Sequence, residues 1–256
     1  MTTPTRHERI VAALRDLGAA SVRELSERLG VSESTVRRDL KALDRDGALV
    51  RTYGGAAPAP AAASAAAHEH PFAVEADVDA EAKEAMAEAA AALVPDHGVV
   101  LLDIGTTTMR IARRLRGRPV TVLTSSLAVL DVLREDPEVR LVLLGGAVRR
   151  NYESLVGSLT LNALQQVSAD LAFIGCTGVR PNGHVLDDMA VEAPIKQAMI
   201  ESAQHAVLLA PPSKFPGTGS LRVCTLERVD TVVTTAAAPE ETLRLCESTG
   251  GKVILA

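Results

Sequence analysis

Tryptophan is absent from this 256-residue chain, and its aromatic residues are three phenylalanines and two tyrosines. A core made without large rings must come from aliphatic side chains, and a hydrophobic content of 47% supplies them. Cysteine is equally scarce. Cys176, Cys224 and Cys246 show no CxxC spacing, which excludes a disulfide framework or a thiolate zinc site and points to a reducing cytosol. No apolar run reaches the roughly 18 residues of a membrane span, and the opening "MTTPTRHERI" has no apolar segment of a secretory leader, so neither is expected. Neither GxxxxGK[ST] nor GxGxxG occurs, which removes the two common nucleotide cradles. Among the histidines, His97 and His205 precede apolar runs and His184 lies in the turn-like "RPNGHVL". No metal-ligand spacing or Ser/His/Asp order involves them, so structural roles are expected.

A net charge of −5 gives no hint of a nucleic-acid partner, but its distribution does. Residues 1–57 carry 10 Lys+Arg against 8 Asp+Glu, a balance of +2, while the remainder carries 17 against 24, a balance of −7. A mildly basic head on an acidic body would place a nucleic-acid contact at the head. The two are separated by "GGAAPAPAAASAAAHEHP", Gly54 to Pro71, which is rich in alanine and proline and reads as a linker. The expected organisation is a domain over 1–57, a linker over 58–71 and a second domain over 72–256.

In the head, Ile10, Leu14 and Leu17 keep helical spacing up to Gly18. "SVRELSERLG" opens with Ser21 and Glu24 in capping-box spacing, buries Val22, Leu25 and Leu29, and stops at Gly30. Ser32 then caps a third helix, and "GALVRTYGG", with Arg51 and Tyr53, predicts a small β-wing. Three helices and a wing form the winged helix-turn-helix pattern. On the third helix, Val36, Leu40 and Leu43 share one face, and Ser34, Arg38 and Lys41 lie on the opposite face with Thr35 and Arg37 flanking them. A helix in a major groove needs this division between an apolar rear and a front of donors. Ser32, Ser34, Thr35, Arg37, Arg38, Lys41 and Arg51 are the candidate DNA-binding residues. Asp39 lies to one side, where pairing with a neighbouring arginine is expected.

The body alternates short Val/Leu-rich runs with helical segments, which predicts a mainly parallel sheet covered on both faces. "LLDIGTTTMRIARRL" ends a strand at Asp103, turns at Gly105 and opens a helix with Thr106, Thr107 and Thr108. Unpaired N–H groups and hydroxyls at a helix start suit an anion the size of a monophosphate. Ser125, Gly145 and Gly146 also follow predicted strands, and ligands in open parallel sheets lie beyond such ends. Arg149 and Arg150 add charge there. Glu192 and Lys196 stand four apart in the order that favours a helix salt bridge, and Lys214 follows two prolines.

"LSERLGVSESTVRRDLKALDRDGALVRTYGGA" resembles the N-terminal domain of the DeoR family of bacterial transcriptional regulators. Ser32, Thr35, Arg37, Arg38, Asp39, Leu40, Leu43, Gly47, Arg51, Gly54 and Gly55 match its signature. In the body, Asp103, Gly105, Thr106, Thr107, Gly145, Gly146, Glu192, Lys196, Ser213 and Lys214 match, so the resemblance spans nearly the whole chain. It departs at Ser125, where asparagine is usual, and at Pro211, where aspartate is usual. The resemblance implies a ribose-5-phosphate isomerase-like sensor fold that binds a phosphorylated sugar. The effector-binding set is then Asp103, Gly105, Thr106, Thr107, Thr108, Ser125, Gly145, Gly146, Glu192, Lys196 and Lys214. The function implied is a cytoplasmic repressor of carbohydrate-metabolism genes that binds a double-stranded DNA operator as a dimer or tetramer, without metal or cofactor. A second reading makes the body a sugar-phosphate isomerase or deaminase, with Asp103, Glu192 and Lys196 moving protons.

Overall fold

The computed structural model describes residues 6, 7, 9–11, 13, 14, 20–45, 49–52, 54–58 and 71–256. The chain divides into two compact units, Met1–Glu69 and His70–Ala256.

In the first unit, the described residues between Arg6 and Leu14 are helical. They precede strand β1 (Ala20–Ser21), helix α1 (Val22–Leu29), helix α2 (Glu33–Arg45), and strands β2 (Leu49–Thr52) and β3 (Gly55–Pro58). The capping box forms as its spacing predicts: the Glu24 N–H donates to Ser21 Oγ and the Ser21 N–H to Glu24 Oε2. Gly30 closes α1 at φ 67°, a conformation that costs glycine nothing. The strands form an antiparallel sheet in the order β1–β3–β2. Its closest approach is at Gly55, where a Cβ would sit 2.2 Å from the Ala20 carbonyl oxygen. Ile10, Leu14, Leu25, Val36, Leu40 and Leu49 are fully buried between helices and wing.

Two features of this unit differ from expectation. β1 was not foreseen, because two residues carry no alternation. Gly55–Pro58, within the Ala/Pro-rich stretch, is the central strand of this sheet and not linker: it pairs with both β1 and β2, and Gly55 has no side chain to hold it off β1. The rest of the expected linker up to 70, together with Leu17, Gly18, Gly47 and Tyr53, lies outside the described residues.

The second unit opens with helices α3 (Phe72–Asp77) and α4 (Ala80–Ala91). An alternating series follows: β4 (Val99–Leu102), α5 (Thr106–Leu115), β5 (Thr121–Thr124), α6 (Leu127–Leu133) and β6 (Arg140–Leu143). Next come a hairpin of β7 (Ala147–Arg149) and β8 (Ser154–Val156), helix α7 (Ser158–Leu164) and β9 (Ala169–Gly175). The chain continues with β10 (Gly178–Val179), β11 (His184–Asp187), α8 (Ala193–Glu201), β12 (Ala203–Leu209) and β13 (Leu221–Thr225). It ends with β14 (Thr231–Thr234), α9 (Glu240–Glu247) and β15 (Lys252–Leu255).

Seven strands form one parallel sheet in the order β15–β14–β12–β9–β4–β5–β6. Their continuous apolar runs follow from burial of both faces. Leu101, Ala172, Leu208 and Val232 enter one aliphatic core, and Val100, Leu102, Phe173, Val207 and Val233 enter the other. The chain runs outward from β4 through β5 to β6, then returns to place β9 on the opposite side of β4. That reversal puts the crevice beyond the C-terminal ends of β4 and β9, where this architecture binds ligands.

Three parts of this unit carry little sequence signal. α4 is mostly alanine, so the face that buries Met86, Ala87 and Ala90 has no contrast with its other side. The small antiparallel sheet β10–β11–β13 and the β7–β8 hairpin are built from strands of two to five residues, too short for a period.

Candidate functional site

The helix-turn-helix surface comes first in the chain. Val36, Leu40 and Leu43 are 0%, 1% and 6% exposed, so the apolar side of α2 is turned into the core. Ser32, Ser34, Arg37, Arg38, Lys41 and Arg51 are all exposed, and Thr35 is half-buried. The Ser32 hydroxyl accepts from the Thr35 N–H at 3.3 Å and meets the Ser34 and Thr35 hydroxyls at 3.0 and 2.8 Å. This cap leaves a cluster of hydroxyls at the start of α2, where backbone N–H groups and the helix dipole favour a phosphate. Arg37 is held by Glu33 one turn earlier at 2.6 Å. Among the described residues, Arg38 and Lys41 have no ion-pair partner.

Asp39 does not pair with an arginine of its own helix. It is 4% exposed and accepts from Arg6 Nε at 2.5 Å and Nη2 at 2.9 Å, with His7 Nε2 at 3.2 Å. The Arg6 hydrogen bond holds its carboxyl below the usual range, against the opposing effect of burial. Asp39 therefore orients α2 by tying it to the first helix. Arg6 and His7 escaped the sequence reading because their partner lies more than thirty residues away.

In the second unit, Asp103 directly follows β4 and Gly175 ends β9 beside it. The Gly175 N–H donates to Asp103 Oδ2 at 2.9 Å, and Lys196 Nζ donates to the same oxygen at 2.5 Å. Lys196 also donates to the Gly175 carbonyl at 3.2 Å and lies 3.5 Å from Asp187 Oδ2. All three charged residues are at most 5% exposed. Burial disfavours the ammonium, but the two carboxylates outweigh it and hold the Lys196 pKa above its ordinary value. Burial pushes Asp187 up, and Lys196 and the Met189 N–H pull it part of the way back. The thiol of Cys176, just past β9, is pushed up to about 12 by burial, while the charges of Lys214, Lys196, Asp187 and Asp103 all act on it.

The helix beside this triad has the features an anion needs. No side chain caps α5, whose N-cap is Gly105 in extended conformation. The first-turn N–H groups are thus not consumed by a cap, and Thr106 and Thr107 are buried there at 3% and 7% exposure. Ser125, 2% exposed, follows the adjacent β5.

Other candidates have structural uses. Thr108 Oγ1 donates to the carbonyls of Asp103 and Gly105, both at 2.6 Å, and so closes the turn rather than facing a ligand. Asp103 Oδ2 accepts from both Lys196 and Gly175, so this carboxylate orders the site. Gly146 is a point of close packing: a Cβ there would lie 2.4 Å from Thr160 Oγ1 and 2.8 Å from the Val156 carbonyl. Gly145 is exposed, with open space where a side chain would go. The expected Glu192–Lys196 pair does not form. Lys196 turns to Asp103, and Glu192 pairs with Arg149. Arg149 also stacks over the Tyr152 ring at 5.9 Å. Lys214 lies 3.5 Å from Glu75 Oε1.

Comparison with known proteins decides the family. Residues 78–236 match the DeoR C-terminal sensor domain, and residues 6–59 match the DeoR-like helix-turn-helix domain. The chain belongs to the DeoR family. Its DeoR-family relatives include an L-fucose operon activator of Haemophilus influenzae, 29% identical over 94% of this chain and 96% of that protein. They also include the glycerol-3-phosphate regulon repressor of Escherichia coli, 28% identical over 96% of each. Among solved structures, ribose 5-phosphate isomerase A of Methanocaldococcus jannaschii aligns with 54% of this chain and 55% of its own, at 19% identity and a TM-score of 0.40.

Asp187 and Glu75 are the polar groups at this candidate site that sequence reading missed, and Arg149, expected there as added charge, is the partner of Glu192. Asp187 ends β11, Arg149 sits on the short hairpin and Glu75 lies on α3. None is in a run whose period marks it, and only the fold brings each beside Lys196, Glu192 or Lys214. Of the two departures from the family pattern, Ser125 is fully inside and Pro211 is buried at the N-terminus of the 3-10 turn that carries Lys214.

Proposed function

We propose that this DeoR-family chain is a transcriptional repressor of carbohydrate-metabolism genes whose operator affinity is set by a phosphorylated sugar. The observation that carries the reading is the pairing, in one chain, of a donor-lined helix with an apolar rear and an uncapped helix start at the switch point of a parallel sheet.

At the operator, Ser34, Arg38 and Lys41 read or grip the major groove, Ser32 and Thr35 hold a phosphate at the start of α2, and Arg37 and Arg51 contact the backbone. One such helix makes few contacts, so the protein acts as a symmetric dimer or tetramer on repeated half-sites. In the sensor, the N–H groups and hydroxyls of Thr106 and Thr107 hold the phosphate, Lys214 and Lys196 supply positive charge, and Ser125 and Glu192 meet sugar hydroxyls. An effector that prefers one arrangement of the oligomer shifts the population away from DNA by that difference in affinity.

The relatives named above are regulators, which favours this reading over an isomerase or deaminase. The chemistry agrees. A proton-shuttling lysine needs a pKa near neutrality, whereas Lys196 is held charged by two buried carboxylates. The test has two parts. Binding-site selection from a random duplex pool should yield an operator. Arg38→Ala should then weaken binding to it by roughly 1–3 kcal/mol if Arg38 reads a base, or lower the salt slope by about 1 if it meets phosphate. A panel of sugar monophosphates should raise the melting temperature and release that operator. Aldose–ketose conversion by the wild type that disappears in Glu192→Ala would overturn the regulatory reading.

A further inference from the structure

Helix α3 is the first described element after the stretch that leads from the DNA-binding unit. It has six residues, too few to be stable by propensity alone, so its order depends on its contacts. Phe72 supplies an apolar anchor: its ring meets Tyr152 edge-on at 5.6 Å and its N–H donates to the Asn151 carbonyl at 3.0 Å. Ala76 supplies a backbone anchor, its carbonyl accepting from Arg110 of α5 at 2.8 Å. Glu75 supplies an ionic one. Its carbonyl accepts from Lys83 Nζ at 2.7 Å, and its Oε1 lies 3.3 Å from Lys83 and 3.5 Å from Lys214. The third anchor differs from the other two in that its cation, Lys214, belongs to the effector-binding set.

We propose that Glu75 is an internal competitor of the effector phosphate for Lys214, so that phosphate binding loosens α3 and with it the start of the segment running to the DNA-binding unit. A phosphate dianion on the Lys214 ammonium brings a second negative charge to a cation already facing the Glu75 carboxylate. Like charges sharing one partly buried ammonium repel, and the shorter-range grip on the more highly charged group wins. Lys83, 3% exposed, stays bound to the Glu75 carbonyl, so the helix loosens without the fold losing a buried cation's partner. Glu75 thereby sets effector affinity and transmits occupancy. This rests on the effector-site reading above, and the experiment separates the two.

The experiment is hydrogen–deuterium exchange on the full chain, with inorganic phosphate titrated at constant ionic strength. Phosphate should protect residues 104–108 while residues 72–78, whose Val74 and Glu75 N–H groups bond the Pro71 carbonyl, exchange roughly fivefold faster, the effect of losing one partly exposed ion pair. In Glu75→Gln, which keeps both the carbonyl and a side-chain oxygen for Lys83, residues 72–78 should exchange fast without phosphate and gain no more with it. The apparent phosphate affinity should rise several-fold. Lys214→Gln should likewise speed exchange of 72–78, with weaker phosphate protection of 104–108. Protection of 104–108 with no change at 72–78, or an unaltered phosphate affinity in Glu75→Gln, overturns the inference and leaves the effector site standing. Absence of protection at 104–108 overturns the effector-site reading and the inference with it.

Discussion

Replacing Asp39 with asparagine isolates the contact that fixes the recognition helix. The residue is nearly fully buried and accepts two hydrogen bonds from Arg6, with His7 at 3.2 Å. An asparagine of the same shape keeps one oxygen acceptor but loses the charge and turns an N–H₂ group toward the guanidinium. Removing one partner of a buried pair costs about 3–5 kcal/mol, and a charged hydrogen bond contributes about 1.5–3 kcal/mol. The Arg6 side chain is 13% exposed, so water reaches part of it, which places Asp39→Asn near 2 kcal/mol. In a unit of this size that is a large share of total stability, at roughly 0.05–0.15 kcal/mol per residue. Native-state hydrogen exchange reads it directly: amides of α2 that exchange through opening of the unit should speed up about thirtyfold at neutral pH. The sign of the pH dependence follows from the lowered carboxyl pKa. The stabilisation is fully present above the unfolded value near 3.9 and is lost as pH falls through the folded value. Urea denaturation from neutral pH down to about 3 should therefore show the wild-type advantage constant above about pH 5 and beginning to shrink at the acid end. A change in α2 exchange of less than about twofold at neutral pH would refute the reasoning.

Further predictions concern the sensor. Lys196→Met leaves Asp103 and Asp187 buried without a counter-charge, so it should destabilise the second unit by about 3–5 kcal/mol and make its urea stability fall, not rise, between mildly acidic and neutral pH. A variant as stable as the wild type at neutral pH would show that the triad contributes nothing. Gly146→Ala drives a methyl group against the Val156 backbone and should cost about 1–3 kcal/mol, whereas Gly145→Ala, facing open space, should be nearly neutral. Equal thermal shifts for the two would refute the assignment of Gly146 as a packing glycine.

The local rules were legible. Ser21 with Glu24, the Val36–Leu40–Leu43 face opposite Ser34–Arg38–Lys41, and the strand–Gly105–helix turn each arise from interactions within a few residues, and each formed as its spacing predicts. The Val/Leu runs required a sheet buried on both faces, and that sheet is present. The residue types at the candidate site were legible too, because a helix start marks itself by composition.

Their assignments to partners were not. The i, i+4 spacing paired Glu192 with Lys196, yet the helix start sits against the β7–β8 hairpin and the ends of β4 and β11, so Glu192 meets Arg149 and Lys196 meets Asp103 and Asp187. Asp39 likewise passes over the arginines beside it for Arg6. Local sequence determined the periodic helices, the strands of the main sheet and the donor-lined face of α2. Tertiary structure decided which charges are neutralised, since a buried ion takes whichever opposite charge the fold brings within reach, and sequence distance has no bearing on that.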